Sequence, residues 1–354
     1  MYLSFELEEV FLSLSRTTLP PQKKKKKQER TTTAALQRSL STLFGSSYTQ
    51  MAPPTILCVR HAQGLHNLGL EFHGLVDPRL TPLGEKQCAK LRDTWFRDQS
   101  KISLVTASPL TRTLHTAFLT FLPALENGKA QGQILALPDA QETSDYPCDT
   151  GSDVPVLQAI VDEQRWPVDL RLVRDGWNVK TMGNRYSPAS DAIKARARDT
   201  RKFLRRTARE LLRKGDQEVQ IALVTHGGYL HYFTNDWEDS NKQNGTGWEN
   251  CETRAYVFES LDSEGEDDEA LLVETDESRR RRGKEHPMHP PEKQAELFHQ
   301  SMQGWEDQGL QNPSKLGPEY ESGHAHGNTN EEKKGPIATT LSVEANTETV
   351  QVVA

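Results

Sequence analysis

Residues Thr55–Asn67 read TILCVRHAQGLHN, and this stretch decides the fold. The apolar run Ile56-Leu57-Cys58-Val59 has the length and composition of a buried strand. It stops abruptly at Arg60-His61, and the chain turns polar through Gln63, Gly64, His66 and Asn67. A cation and an imidazole just past the end of a buried strand occupy the position where open α/β sheets gather ligand chemistry. In this reading Arg60 holds an anion, and His61 attacks it or passes it a proton. The competing reading makes His61 a core histidine and Arg60 a surface ion-pair partner. The stretch alone does not separate the two.

The following segments alternate strand and helix. Thr81 is an N-cap and Pro82 a first-turn proline for a helix that runs to about Trp95 and buries Leu83, Cys88, Leu91 and Trp95. A strand over Ile102–Thr106 ends at Ser108-Pro109, again read as a cap and a first-turn proline. The helix Leu110–Leu122 then carries Arg112 in its first turn. Strand Ile134–Leu137 leads into the polar loop Pro138–Asp153, which holds Glu142 and Asp145. Within residues 154–186, the tract Arg171–Asn178 reads as a cap or insertion. Ser187 and Pro188 open the next helix and Gly215 ends it. Ile193, Ala197, Thr200, Leu204, Ala208 and Leu211 form its buried stripe. Arg196, Arg198, Arg201, Lys202, Arg205, Arg206, Arg209 and Arg213 form its other face, read as solvated. Val219–Val224 is a strand ending in Thr225-His226-Gly227-Gly228, and Thr253–Glu259 alternates as a final edge strand. The order predicts an α/β domain, a three-layer α/β/α sandwich around a mostly parallel sheet.

Composition sets the limits of that domain. Only 35% of the 354 residues are hydrophobic while 26% are charged, which predicts a folded domain between polar tails. The expected division is a disordered or non-native extension over 1–50, a catalytic domain over 51–261, and a disordered charged tail over 262–354. Within that tail, Gln294–Met302 reads as a transient helix or docking segment. A net charge of -7, and no aromatic platform beside Lys23–Lys27 or Arg279–Arg282, argue against nucleic acid as a partner. The four cysteines, Cys58, Cys88, Cys148 and Cys251, show no paired spacing and read as free thiols of a reducing compartment. No run reaches the ~18 apolar residues of a membrane helix. Cytoplasm, or nucleus, is the expected location, with a mitochondrial presequence at Thr31–Thr49 as the lesser alternative. Oligomeric state is not legible.

The strand-end residues form one set: Arg60, His61, Asn67, Arg112, Glu142 and His226. Two guanidinium groups meeting at a point suit a phosphate dianion. An imidazole between them can displace the leaving group and carry a phosphohistidine, with Arg60, Arg112 and His226 balancing charge on the other oxygens. A carboxylic acid with a raised pKa must protonate the leaving oxygen and later deprotonate water. Glu142 is the first candidate and Asp145 the second. The scheme needs no metal or cofactor, and its substrate is a phosphorylated small molecule. His66, His73, His115 and His231 read as packing or surface residues. Tyr146 and Trp177 suit either a cleft or the core.

Arg60-His61-Ala62 with Asn67 resembles the RHG…N signature of the histidine phosphatase superfamily, the phosphoglycerate-mutase-like fold. Leu80-Thr81…Gly84…Gln87, Ser108–Arg112 and Thr225–Gly228 resemble its other landmarks in the same order, over Thr55 to about Ser260. The segments Arg60–Asn67, Gln141–Gly151 and Gly247–Arg254 look most like fungal phosphatases of the phosphomutase-homologue type. The resemblance implies phosphorylation of His61, phosphate binding by Arg60, Arg112 and His226 with help from Asn67, and Glu142 as proton donor. Two positions depart from the pattern. Ala62 replaces a glycine, and Gln63 stands where mutases of this fold carry glutamate. A neutral Gln63 is expected to change the pocket's charge and to favour a phosphatase over a phosphomutase. A non-catalytic phosphate-binding module is the third possibility. The tract Leu157–Tyr186 is expected to set the substrate.

Overall fold

The computed structural model describes residues 52–130, 132–241, 245–262 and 268–321. Seven strands form one sheet: β1 (Thr55–Arg60), β2 (Ile102–Ala107), β3 (Ile134–Ala136), β4 (Val168–Asp169), β5 (Gln220–Thr225), β6 (Thr253–Phe258) and β7 (Leu272–Glu274), in the order β4-β3-β2-β5-β1-β6-β7. The first five are mutually parallel, and β6 and β7 are antiparallel additions. Alternate residues of the central strands feed two cores. Ile56, Cys58, Ile221 and Leu223 enter one, and Leu57, Val59, Ala222 and Val224 the other. Such strands read as continuous apolar runs because both faces are covered.

Helices α1 (Pro82–Thr94), α2 (Thr111–Asn127) and α3 (Val154–Gln164) cover one face. Helices α4 (Ser190–Arg213), α5 (Gly227–Thr234) and α7 (Pro291–Asp307) cover the other, with the short α6 (Asp276–Arg281) following β7. The three-layer sandwich with a mostly parallel sheet is the phosphoglycerate-mutase-like fold expected from the sequence. Thr81 caps α1, its Oγ1 accepting from the Gly84 amide at 3.0 Å.

Several local readings are corrected. Leu83 is exposed, not part of the α1 stripe. Ser108 does not cap α2, which begins at Thr111, and its hydroxyl serves His226 instead. Helix α4 begins at Ser190, because the Ser187 hydroxyl closes a turn onto the Ala189 amide. Its arginine face is only partly solvated, because Arg196, Arg201 and Arg205 are buried. Arg196 is buried and donates to the carbonyls of Asp139 (2.7 Å), Gln141 (2.5 Å) and Glu142 (3.0 Å), while Arg201 and Arg205 reach Glu269 and Asp268. Periodicity locates a helix's polar side but not the backbone carbonyls that come to meet it.

The largest correction concerns the region read as a disordered tail after residue 261. Residues 268–321 are folded. β7 pairs with β6, so β6 is not an edge strand. The basic run interlocks with acids. Arg279 pairs with Glu238 (2.9 Å) and Glu274 (3.1 Å), and Arg282 with Glu274 (2.8 Å) and Asp236 (3.1 Å). Opposite charges that average to a disordered composition are here joined in a network in which both arginines share Glu274. Helix α7 contains the expected Gln294–Met302 stretch and buries Met302 and Trp305 in the core. Residues 1–50, including Lys23–Lys27 and Thr31–Thr49, and residues 322–354 lie outside the described residues. No helix among the described residues is long and apolar enough to cross a membrane.

If residues 268–321 are integral, Trp305→Ala should lower unfolding free energy by about 3–5 kcal/mol, the usual cost of emptying a buried tryptophan site. Urea titration followed by circular dichroism measures this. A loss below about 1 kcal/mol would mean that α7 is only loosely docked.

Candidate active site

Sheet register brings the two histidines together. β1 and β5 are adjacent, with Arg60 opposite Thr225, so His61 and His226 leave neighbouring strands at the same level. The His61 amide donates to the Thr225 carbonyl at 2.9 Å. The imidazole centroids lie 5.2 Å apart. β2 flanks β5, and the first turn of α2 carries Arg112 into the gap. β3 delivers the loop with Glu142. A cavity of about 140 Å³ opens there, lined in part by Arg60, His61, Asn67 and Glu142. Arg112 and His226 lie beneath it, each fully buried.

Hydrogen bonds fix the state of His61. Its Nδ1 is 2.7 Å from the Ala62 carbonyl, which can only accept, so Nδ1 carries the proton and Nε2 holds the lone pair. Arg112 Nε donates to that Nε2 at 3.3 Å. Burial, then the charges of Arg112 and Arg60, hold the His61 pKa well below its ordinary value, so the ring is neutral near pH 7. His226 is held down likewise, by burial and then Arg112. Its Nδ1 accepts from Arg112 Nη2 at 3.1 Å, and its Nε2 lies 2.9 Å from the Ser108 hydroxyl. Arg112 also donates from Nη1 to the Cys148 carbonyl (2.7 Å) and from Nη2 to Asp149 (3.0 Å). Arg60 donates to the Trp248 carbonyl, and its buried Nε has no partner among the described residues. An unpaired guanidinium N–H at a cavity wall is a donor waiting for an anion.

Glu142 lies at the start of α5. Its Oε1 accepts from the amides of Tyr229 (2.8 Å) and Thr143 (2.9 Å), and its Oε2 from Gly228 (3.2 Å). A Cβ on Gly228 would stand 2.7 Å from Oε1, so glycine is required for this approach. Burial and then the charge of Asp149 raise the Glu142 pKa, and the amides and Arg112 offset only part of that. The group therefore keeps a proton to higher pH than an ordinary carboxyl. Asn67 accepts from Gly64 N (3.0 Å) and Asn250 Nδ2 (3.2 Å), which also braces the His61 carbonyl (3.1 Å). Ala62 is outside the left-handed region, so a methyl group is tolerated where the signature has glycine.

The structure thus gathers all six strand-end residues, and it reassigns others. Asp145 does not line the cavity, and its carboxylate faces Gln311 and Tyr320. Gln63 does not line it either. Its Oε1 accepts from Thr81 at 2.8 Å, so the argument from Gln63 against a mutase fails. Residues 157–186 are absent from the lining, which the tract 245–246 and the C-terminal residues Trp305, Leu310 and Gln311 complete instead. Trp177 is core, packed on Gly151, while Tyr146 lines the cavity. His66 and His73, read as packing or surface residues, also line it. His115 stacks on Trp166, and His231 is held between the Asp236 and Thr246 carbonyls.

Sequence reasoning missed Asp149, the anchor of Arg112, although it lies inside the quoted Gln141–Gly151 loop. It also missed Lys180. That lysine is buried, with its pKa lowered to about 7 mainly by desolvation, and it donates to the Glu142 (2.9 Å) and Ser144 (2.6 Å) carbonyls. Nothing in its local sequence marks it.

Two other features are separate from this site. A larger hollow of about 710 Å³ beside α4 holds none of the strand-end residues, and its Arg185 is tied to Asp139 and Asp199. Glu238, His286 and His289 bring three metal-ligating atoms within 4.8 Å, but Lys284 (2.7 Å) and Arg279 (2.9 Å) already neutralise Glu238.

The sequence model of the histidine phosphatase superfamily (branch 1) matches residues 56–125, which contain Arg60, His61, Asn67 and Arg112. A phosphoglycerate mutase-like protein of Arabidopsis thaliana is 27% identical over 241 residues, covering 58% of this chain and 84% of that protein. Among solved structures, the ecdysone phosphate phosphatase from Bombix mori is similar at 13% identity with a TM-score of 0.42, covering 61% of this chain and 98% of that one. Phosphoglycerate mutase from Bacillus anthracis is similar at 13% identity with a TM-score of 0.40, covering 64% and 93%. The matched segment contains the strand end that organises the cavity, and the chain carries a histidine phosphatase superfamily domain homologous to phosphoglycerate mutase-like proteins.

Proposed function

We propose that the protein is a phosphatase that hydrolyses phosphate monoesters through a phosphohistidine on His61. The observation that carries this reading is the neutral His61 ring at the cavity wall, its Nε2 lone pair held only by the long 3.3 Å contact from Arg112. An incoming phosphate takes that Arg112 donor onto one of its oxygens. Arg60 Nε supplies a second donor, and the Ser108–His226 pair flanks the same point. The Nε2–P bond forms as the P–O bond to the leaving group breaks, and Glu142 gives its proton to the departing oxygen. Water then attacks phosphorus, Glu142 takes a proton from it, and the P–N bond breaks to release phosphate. The arginines supply the charge balance throughout, so the scheme runs without a metal.

The alternative is a phosphomutase, which must hold the phosphohistidine against water and rebind an anionic product. Among the described residues Arg60 is the only lysine or arginine lining the cavity. A second phosphate or a carboxylate on the substrate would meet little positive charge there, which favours the phosphatase. Incubation with a phosphoglycerate separates the two, because a phosphatase yields free phosphate and a mutase yields isomer.

His61→Ala should abolish release of 4-nitrophenol from 4-nitrophenyl phosphate. Turnover within tenfold of the parent would exclude His61 as nucleophile. Glu142→Gln should slow hydrolysis of alkyl phosphates by ~10²–10⁴-fold, and that of aryl phosphates, whose leaving groups need no proton, much less. The pH profile follows from the directions of the shifts. His61 stays neutral until the pH is well below its ordinary range, so activity persists on the acid side. It falls on the alkaline side as Glu142 loses its proton, at a pH above the ordinary glutamate value. Glu142→Gln should remove that alkaline limb, and an unchanged limb would assign the proton to another group.

A further inference from the structure

The outer part of the cavity contains residues that the mechanism does not use. Leu310 and Gln311, just beyond α7, line it with Trp305 and Tyr146. The Gln311 amide is oriented by its own hydrogen bonds. Nε2 donates to the Asp145 carboxylate at 2.7 Å and to the Tyr320 hydroxyl at 3.0 Å, and that hydroxyl in turn donates to Asp145 at 3.2 Å. A carboxylate only accepts, so the amide nitrogen must face Asp145 and the oxygen must face the other way. That oxygen, Gln311 Oε1, is buried and has no hydrogen-bond partner among the described residues. Both hydrogens of Nε2 are in use, so the residue can offer a ligand only an acceptor.

Buried acceptors without donors are uncommon and call for an explanation. Three other polar atoms of this cavity have no partner among the described residues: Arg60 Nε and Thr246 Oγ1 lie against Gly227, and His66 Nδ1 lies against Gly64 on a ring 5.3 Å from that of His61, all at the phosphate end. Gln311 belongs to a different wall. Displacement at phosphorus places the leaving group on the side away from His61 Nε2, hence toward the outer part of the cavity. A volume of about 140 Å³ holds a phosphate and a group of a few heavy atoms.

We infer that Gln311 is a specificity-determining residue, its Oε1 accepting a hydrogen bond from a hydroxyl or ammonium group carried by the leaving group of a small phosphomonoester. The inference rests on the phosphatase reading and adds the chemical class of substrate. A leaving group without a donor would bury Oε1 unsatisfied, and a donor at the right distance would complete it. The segment read as a disordered tail would then choose the substrate.

Three compounds of equal chain length test this: propyl phosphate, 3-hydroxypropyl phosphate and 3-aminopropyl phosphate. With the full-length protein, kcat/KM should be about tenfold or more higher for at least one donor-bearing compound than for propyl phosphate, the usual size of one hydrogen bond to a buried group. The compound that shows the preference tells hydroxyl from ammonium. Gln311→Met, close in size and without an acceptor oxygen, should bring the ratio near one. Tyr320→Phe leaves the Asp145 bond that orients the amide and should keep the preference. A ratio near one in the parent protein overturns the inference whatever the variants do, and so does a preference that survives Gln311→Met. If 4-nitrophenyl phosphate and all three alkyl phosphates are inert, the phosphatase reading itself has failed. If they are hydrolysed without preference, that reading stands and Gln311 has no role in it.

Discussion

The Arg112 guanidinium is the fixed point of the site. It is buried completely, and each of its three nitrogens has an acceptor: His61 for Nε, the Cys148 carbonyl for Nη1, and Asp149 and His226 for Nη2. A buried guanidinium left unpaired is costly, so the four partners are constrained together. Burial, and then repulsion from the same charge, keep both imidazoles unprotonated. Arg112 thus contributes to both the position and the protonation of His61. The sheet supplies the distances, because parallel pairing of β1 with β5 and of β5 with β2 sets three strand ends at one level.

Glu142 shows the complementary logic. Two backbone amides at the start of α5 and that of the adjacent Thr143 hold its carboxylate, which would ordinarily lower its pKa, yet burial and Asp149 outweigh them. A group that is held in place by amides and still retains its proton is suited to give and take one proton in turn. Its own loop is held from outside by Lys180 and Arg196, which donate to the carbonyls of Glu142 and its neighbours. Neither side chain lines the cavity. They position the residues that do.

The sequence made the strand-end chemistry readable because that signal is local. An apolar run that stops on Arg60-His61, and another that stops on Thr225-His226, place both histidines without any knowledge of tertiary structure. What was not legible depends on pairing over long distances. Arg196 and Arg201 look solvated on a helical wheel because their partners are carbonyls far along the chain. Residues 268–321 look disordered because composition averages Glu274, Arg279 and Arg282 instead of pairing them. Gln63 looked like a pocket residue by its place in the motif, whereas its side chain turns to Thr81. The outer wall of the cavity comes from Trp305, Leu310 and Gln311, which no local pattern ties to His61.

The central claim is that His61 becomes the phosphorus-bound group. It is tested most directly by mixing the protein with a ³²P-labelled phosphomonoester, quenching within milliseconds in base, and mapping the labelled peptide by mass spectrometry. The account predicts a phosphoryl group on His61 that survives base and is lost in acid. No labelled protein under conditions of rapid turnover, or label on any other residue, would contradict it.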